Sequence, residues 1–113
     1  MTYVWYMSRF LPIFPLNLVV FPGEQLNLHI FEPRYRQLIQ DCKTKGLTFG
    51  IPPFIDNKMQ ETGTELKLLS IEKMYDDGKM DIKTKGVGLF EVQEFQRKVE
   101  NKLYSGAIVV NKN

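Results

Sequence analysis

A chain of 113 residues is long enough for one modest core and too short for two. Its 43% hydrophobic and 25% charged residues are those of an ordinary globular protein, and 15 basic against 13 acidic residues argue against a main task of phosphate neutralisation. The single cysteine, Cys42, allows no internal disulfide and fits a reducing, cytoplasmic setting, and no apolar run approaches the ~20 residues of a membrane span.

Residues 1–9 read as a poorly packed extension ahead of a domain over 10–113, with Met7 as the expected start of translation. They lack the basic and small-residue pattern of a signal peptide. Phe10 to Phe14 then reads as a short strand and Leu18 to Phe21 as a second extended segment. Prolines break this region at Pro12, Pro15 and Pro22. Each fixes φ and lacks a donor, so each belongs at a strand edge, a bend or an element start. Pro22-Gly23 is a turn signal, because Pro sets one turn position and Gly accepts positive φ at the next.

Leu26, Leu28 and Ile30 alternate with Asn27 and His29, the period of a half-buried strand. Pro33 suits a first helical position, and Tyr35, Leu38, Ile39 and Cys42 follow at helical spacing. The spacing predicts a helix over about 33–45, with Lys43 and Lys45 in the last turn and Gly46 as its stop. Arg34, Arg36, Gln37, Gln40 and Asp41 would take its wet face.

Leu47 to Ile51 reads as a strand ended by Pro52-Pro53, and Asp56 to Gly63 as a polar, mobile loop. Glu65 to Tyr75 is a long β segment whose apolar parity switches between Leu68 and Leu69, which predicts a bulge. Asp77-Gly78 is a hairpin turn, Gly86 and Gly88 mark a bend, and Leu89 to Phe95 and Tyr104 to Val110 complete the strands. The expected class is mainly β with one principal helix, the bent strands forming a small, partly closed barrel.

Two runs carry a family likeness. Leu11-Pro12-Ile13-Phe14-Pro15-Leu16 leads to Phe21-Pro22-Gly23, and Leu28-His29-Ile30-Phe31-Glu32-Pro33-Arg34-Tyr35-Arg36 follows. With Gly63-Thr64, Asp77-Gly78 and Lys85-Gly86-Val87 further on, they closely resemble the amino-terminal domain of Lon proteases over roughly residues 10 to 110. The resemblance implies a PUA-like pseudo-barrel that recognises protein substrates and contributes to assembly, placed before ATPase and peptidase modules. It also implies that the helical segment following this β subdomain in longer relatives is missing here. The sequence contains no Gly-x-x-x-x-Gly-Lys-Ser/Thr motif and leaves no room for a serine–lysine peptidase, so ATP hydrolysis and proteolysis do not transfer.

The residues themselves supply no catalytic constellation. His29 is the only histidine and lacks a nucleophile or second ligand in its motif, so a strand histidine with a backbone or carboxylate partner is the favoured reading. Cys42 lies on the helix's apolar stripe and reads as a small hydrophobe. Asp76-Asp77-Gly78-Lys79 is a turn without calcium-loop spacing. Glu32 reads as structural, and Arg34 and Arg36 either pair with carboxylates of the fold or meet a peptide carboxylate. Pro12, Pro15, Pro22, Gly23, His29, Glu32, Pro33 and Tyr35 make up the structural motif.

Phe10, Phe14, Phe21, Phe31 and Phe54 exceed one small core's needs, and some are expected to line an exposed groove. The preferred reading is a non-catalytic binding module for unfolded or degron-bearing polypeptide, with Phe21, Phe31 and Phe54 as apolar contacts and Arg34 and Arg36 as polar partners. No metal or cofactor is called for. An ATPase or protease module, or a second copy, would be further partners. An RNA-binding PUA-like module and a purely architectural domain are the alternatives. Lys67, Lys73, Lys79, Lys83 and Lys85 are not interleaved with aromatics, which weakens the RNA reading.

Overall fold

The structure, a computed structural model, describes residues 7–112. The expected extension falls largely on residues 1–6, outside the described residues. Among the described residues, eight strands and one helix follow in the order β1 (Arg9–Ile13), β2 (Gln25–Ile30), α1 (Pro33–Lys45), β3 (Phe49–Ile51), β4 (Phe54–Ile55), β5 (Lys58–Met59), β6 (Thr62–Met74), β7 (Met80–Gln96) and β8 (Ser105–Lys112).

The long hairpin β6–β7 organises the sheet. Its turn closes with Gly78 N bonded to Tyr75 O (2.9 Å) and Tyr75 N to Lys79 O (2.8 Å), and Gly78 takes φ +91°. Around it the sheet order is β2-β7-β6-β3-β1-β8. The far half of β7 also pairs with β8, from Leu89 opposite Lys112 to Gln96 opposite Gly106. Pairing therefore runs in a circuit through β7, β6, β3, β1 and β8, and the sheet wraps into a pseudo-barrel. β2 sits outside that circuit, on the near half of β7.

Bulges let such long strands wrap. Leu68 faces Thr84 and Ser70 faces Lys83, so Leu69 is an inserted residue, at the predicted parity switch. Val87 is another, because Glu65 faces Gly88 while Leu66 faces Gly86. Gly86 has a second duty. A Cβ there would lie 2.8 Å from Phe21 O and 3.3 Å from Pro22 Cα, and its backbone exchanges bonds with Gly23 and Glu24 (2.9 Å each). The Pro22-Gly23 turn, with Glu24 N on Phe21 O and Gly23 at φ +91°, is thereby pinned to β7.

The helix forms as the spacing predicts. Glu32 is its extended N-cap, Pro33 opens it, and Gly46 ends it at φ +67°. Its buried stripe is Tyr35, Leu38, Ile39 and Cys42. These pack with Phe14, Ile30, Phe49, Ile51, Leu66, Met80, Ile82 and Tyr104 into the larger core. Phe14 stacks on Tyr35 with ring centroids 3.9 Å apart. A smaller core of Leu11, Ile13, Phe90, Ala107 and Val109 lies around β1, β7 and β8.

Three expectations are corrected. Leu18 to Phe21 forms no strand. It is held one bond at a time, by Thr64 Oγ1 donating to Val20 O and Phe21 N donating to Glu24 Oε1 (2.7 Å), while Val20 anchors it in the core. Pro22, which ends it, has no N–H to give a ladder. Asp56 to Gly63 is not one loop. Asp56 (φ +52°) and Asn57 (φ +61°) make the two-residue turn of a small β4–β5 hairpin, and β6 already begins at Thr62. Asp and Asn tolerate the left-handed region that this turn needs, so a polar pair passed for loop. Asp41, Gln37 and Arg36 are not on a merely wet face; each is half-buried and holds another element, as described next.

Candidate functional site

Two surfaces flank α1, one at each end. At the N-terminal end the charged motif residues meet the β6–β7 turn. Glu32 O accepts the amides of Tyr35 and Arg36 (3.0 Å each). The Arg36 guanidinium donates to Phe31 O (3.2 Å) and Asp77 O (3.0 Å), so it ties the β2–α1 junction to the hairpin turn. Gly78 lies beside it at φ +91°, and a Cβ there would stand 2.7 Å from Arg36 Nη1 and push the guanidinium aside. Arg34 is exposed, bonds Glu32 (3.2 Å) and lies 5.4 Å from the Tyr35 ring centre. Of the two arginines, it has the freer donors.

His29 faces Asp81 across β2 and β7, with Nδ1 2.6 Å from Oδ1. Tyr75 donates to the other Asp81 oxygen (2.7 Å). Bonds from His29 and then Tyr75 hold the Asp81 carboxyl below its ordinary range, and the same Asp81 bond raises the Tyr75 phenol. Phe31 lies on one side of the His29 ring (6.2 Å) and Tyr75 meets it edge-on (5.7 Å). A His–Asp–Tyr triangle with no nucleophile beside it among the described residues is a cross-strand clasp, the carboxylate-partner reading of His29.

At the C-terminal end, Asp41 accepts both Lys102 Nζ (2.8 Å) and Tyr104 OH (2.7 Å), and Gln37 Oε1 accepts Leu103 N (2.6 Å). These bonds dock the β7–β8 connection on the helix. Burial alone would raise the Asp41 carboxyl, but the bonds from Lys102 and Tyr104 leave it lowered. Burial, and then the Asp41 charge, push the neighbouring Cys42 thiol up to about 12. Below, Glu65 takes a bidentate Arg9 (2.6 and 3.2 Å) and the Thr48 hydroxyl (2.5 Å).

An open groove of about 460 Å³ runs between this end of α1 and β6. Its walls include Lys43 and Leu47 on one side and Lys67, Leu69, Ser70 and Ile71 on the other. Sequence reasoning did not single these residues out as a site. The readable signal was the parity switch at Leu69, which frees an apolar side chain to solvent.

The expected apolar contacts do not converge. Phe14 belongs to the core. Phe21 (64% exposed) sits by Gly86 near the Thr62 end of β6, and Phe54 follows Pro53 at that same end, its amide on Leu16 O (3.0 Å). Phe31 (56% exposed) stands by the Tyr75–Gly78 turn, at the other end. β2 alone separates Phe21 from Phe31 by about 20 Å. Phe10 covers Gly106 on β8. The aromatic excess is therefore several separate exposed contacts rather than one groove. No helix among the described residues is long and apolar enough to cross a membrane.

Among the described residues, a mainly β pseudo-barrel carries one helix, a fold shared with solved Lon amino-terminal domains. Residues 10–112 match the family model of the ATP-dependent protease La (LON) substrate-binding domain, and the chain belongs to that family. It superposes on the crystal structure of a Lon N-terminal domain protein from Xanthomonas campestris with a TM-score of 0.79, 30% identity, and coverage of 93% of this chain and 60% of that one. For the N-terminal domain of Mycobacterium avium complex Lon protease the TM-score is 0.72 at 13% identity, covering 93% and 55%, a likeness of fold alone. The chain thus spans somewhat more than half of each of these structures. No curated protein matches it.

Proposed function

We propose that this domain is a non-catalytic recognition module that holds unfolded or degron-bearing polypeptide, in the cytoplasm, for an ATPase and protease module. The observation that carries this reading is apolar exposure on a domain of the substrate-binding family. Phe21, Phe31, Val19 and Leu103 are each more than half exposed, and Phe54 and Ile55 form an exposed hairpin edge. Dispersed apolar contacts suit a partner without fixed shape, because an unfolded chain reaches several patches at once. Arg34 would serve a substrate carboxylate beside Phe31, while Arg36 keeps that corner rigid. Small separate patches predict binding on the order of micromolar or weaker.

The test is a titration of the labelled domain with a reduced, carboxymethylated protein, read by amide shifts. Shifts that include Phe21, Phe31 or Phe54, and an affinity about fivefold weaker in Phe31→Ser, are expected. An unchanged spectrum at millimolar ligand refutes the reading.

A further inference from the structure

We infer that the groove between α1 and β6 is a strand-docking site for an extended apolar segment flanked by acidic residues. The inference rests on the substrate-recognition reading above and gives that reading a location and a peptide class.

One edge of β6 is open there. β3 pairs with β6 only from Ile51 opposite Thr64 to Phe49 opposite Leu66. Before Phe49 the chain runs back through Thr48 and Leu47 into α1. Beyond Leu66 that side of β6 therefore has no strand partner among the described residues, while β7 lines its other side throughout. Unpaired strand edges are templates for an added strand. From Lys67 to Ile71 the edge offers about 14 Å, room for four or five residues of extended peptide.

Residues of both walls give the groove its apolar character. Leu47, just past the helix end, and Leu69, the bulged residue, are 36% and 44% exposed. Leu68 and Ile71, half-buried, connect the groove to the larger core. An added strand would lay alternate side chains against these four residues.

Charge selects the occupant. Lys43 and Lys67 both line the groove, and no carboxylate does. Among the described residues neither lysine has an ion-pair partner. The acids nearest along β6 are already engaged, Glu65 by Arg9 and Thr48, and Glu72 by Lys83 (3.1 Å) and Ser70 (2.8 Å). The other large groove, along β2 and β7, is lined by Glu72 and Asp81 as well as Lys83 and lacks this one-signed character.

The experiment uses a blocked heptapeptide of alternating valine and threonine with a glutamate at each end, and its counterpart with lysine ends. Each is titrated into the labelled protein, with the carboxymethylated unfolded protein run in parallel. The glutamate peptide is expected to shift the amides of residues 67–71 and of Leu47. The double change Lys43→Glu and Lys67→Glu should weaken it about tenfold and favour the lysine peptide, with an unchanged melting temperature. Ser70→Pro, which removes a backbone donor in the middle of this stretch, should weaken both peptides; the charge-reversed protein keeps the inference testable if that variant fails to fold. Silent groove amides, or equal affinity for both peptides, overturn the inference. If the unfolded protein still shifts Phe21 and Phe31 while the groove stays silent, only the docking site fails. If neither ligand shifts any amide, the recognition reading fails as well.

Discussion

Gly50 and Gly63 offer a sharp test of how the barrel closes. The Phe90 ring lies over both. An ideal Cβ on Gly50 would stand 2.6 Å from Phe90 Cζ and 2.8 Å from Leu11 Cδ2, and one on Gly63 would stand 2.7 Å from Phe90 Cζ, Ile51 O and Pro52 Cα. Ordinary carbon contacts need about 3.5–4.0 Å, so each alanine overlaps its neighbours by about 1 Å. The neighbours differ in kind. Around Gly50 they are side chains, which can be trimmed; around Gly63 two are backbone, which cannot. Overpacking of this size costs about 2–3 kcal/mol for Gly50→Ala and about 3 kcal/mol for Gly63→Ala. Phe90→Leu alone costs about 1–2 kcal/mol by leaving a void beneath a fully buried position. Combined with Gly50→Ala, that void accepts the new methyl, and the pair should recover about 1–2 kcal/mol relative to additivity. Combined with Gly63→Ala, two of the three clashes persist and the coupling should stay below about 0.5 kcal/mol. Urea unfolding followed by far-UV circular dichroism measures all five variants, and each kcal/mol moves Tm by about 4 °C at this size. Equal coupling in the two pairs would refute the packing assigned to Phe90.

Arg36→Met removes two charge-assisted bonds across the β2–α1 corner. It should cost about 1–2 kcal/mol and speed hydrogen exchange at the Gly78 amide, and unchanged exchange would show that the corner does not depend on it. Glu65 gives a pH signature. Burial raises its carboxyl, but Arg9 and Thr48 outweigh burial and leave it below its ordinary value of 4.5. The folded state then binds that proton less readily than the unfolded state. The stabilisation is present above about pH 4.5 and is lost as pH falls through the lowered folded value. Urea midpoints between pH 6 and pH 3 should fall less steeply in Glu65→Gln, and parallel curves would contradict the assignment. Cys42, with its thiol near 12, should react with iodoacetamide at pH 8 about a thousandfold more slowly in the native protein than in urea. Equal rates would mean that the helix stripe opens freely.

Some features of the fold and site were legible because their causes are local. Pro33 and Gly46 mark α1 through φ preferences that neighbours do not alter, and Pro22-Gly23 and Asp77-Gly78 mark turns for the same reason. The Leu68–Leu69 parity switch announced the bulge because side-chain alternation is built into a strand. The failures fell where partners are distant. Nothing near Asp41 in sequence indicates that Lys102 and Tyr104 arrive beside it, and nothing near Arg36 indicates the Asp77 carbonyl. Asp56-Asn57 went unread as a hairpin because its strands are only two residues each, too short to show a period.

By itself, then, the sequence settled the family, the helix and its buried stripe, the turns and the mainly β class, since each follows from backbone dihedral limits and short-range periodicity. Tertiary structure alone decided which aromatics face water, that β7 closes a circuit with β8, and that β6 keeps an open edge beside the end of α1. Those outcomes depend on which strand reaches which neighbour, a choice made by packing among residues as far as 102 positions apart, as Arg9 and Asn111 show.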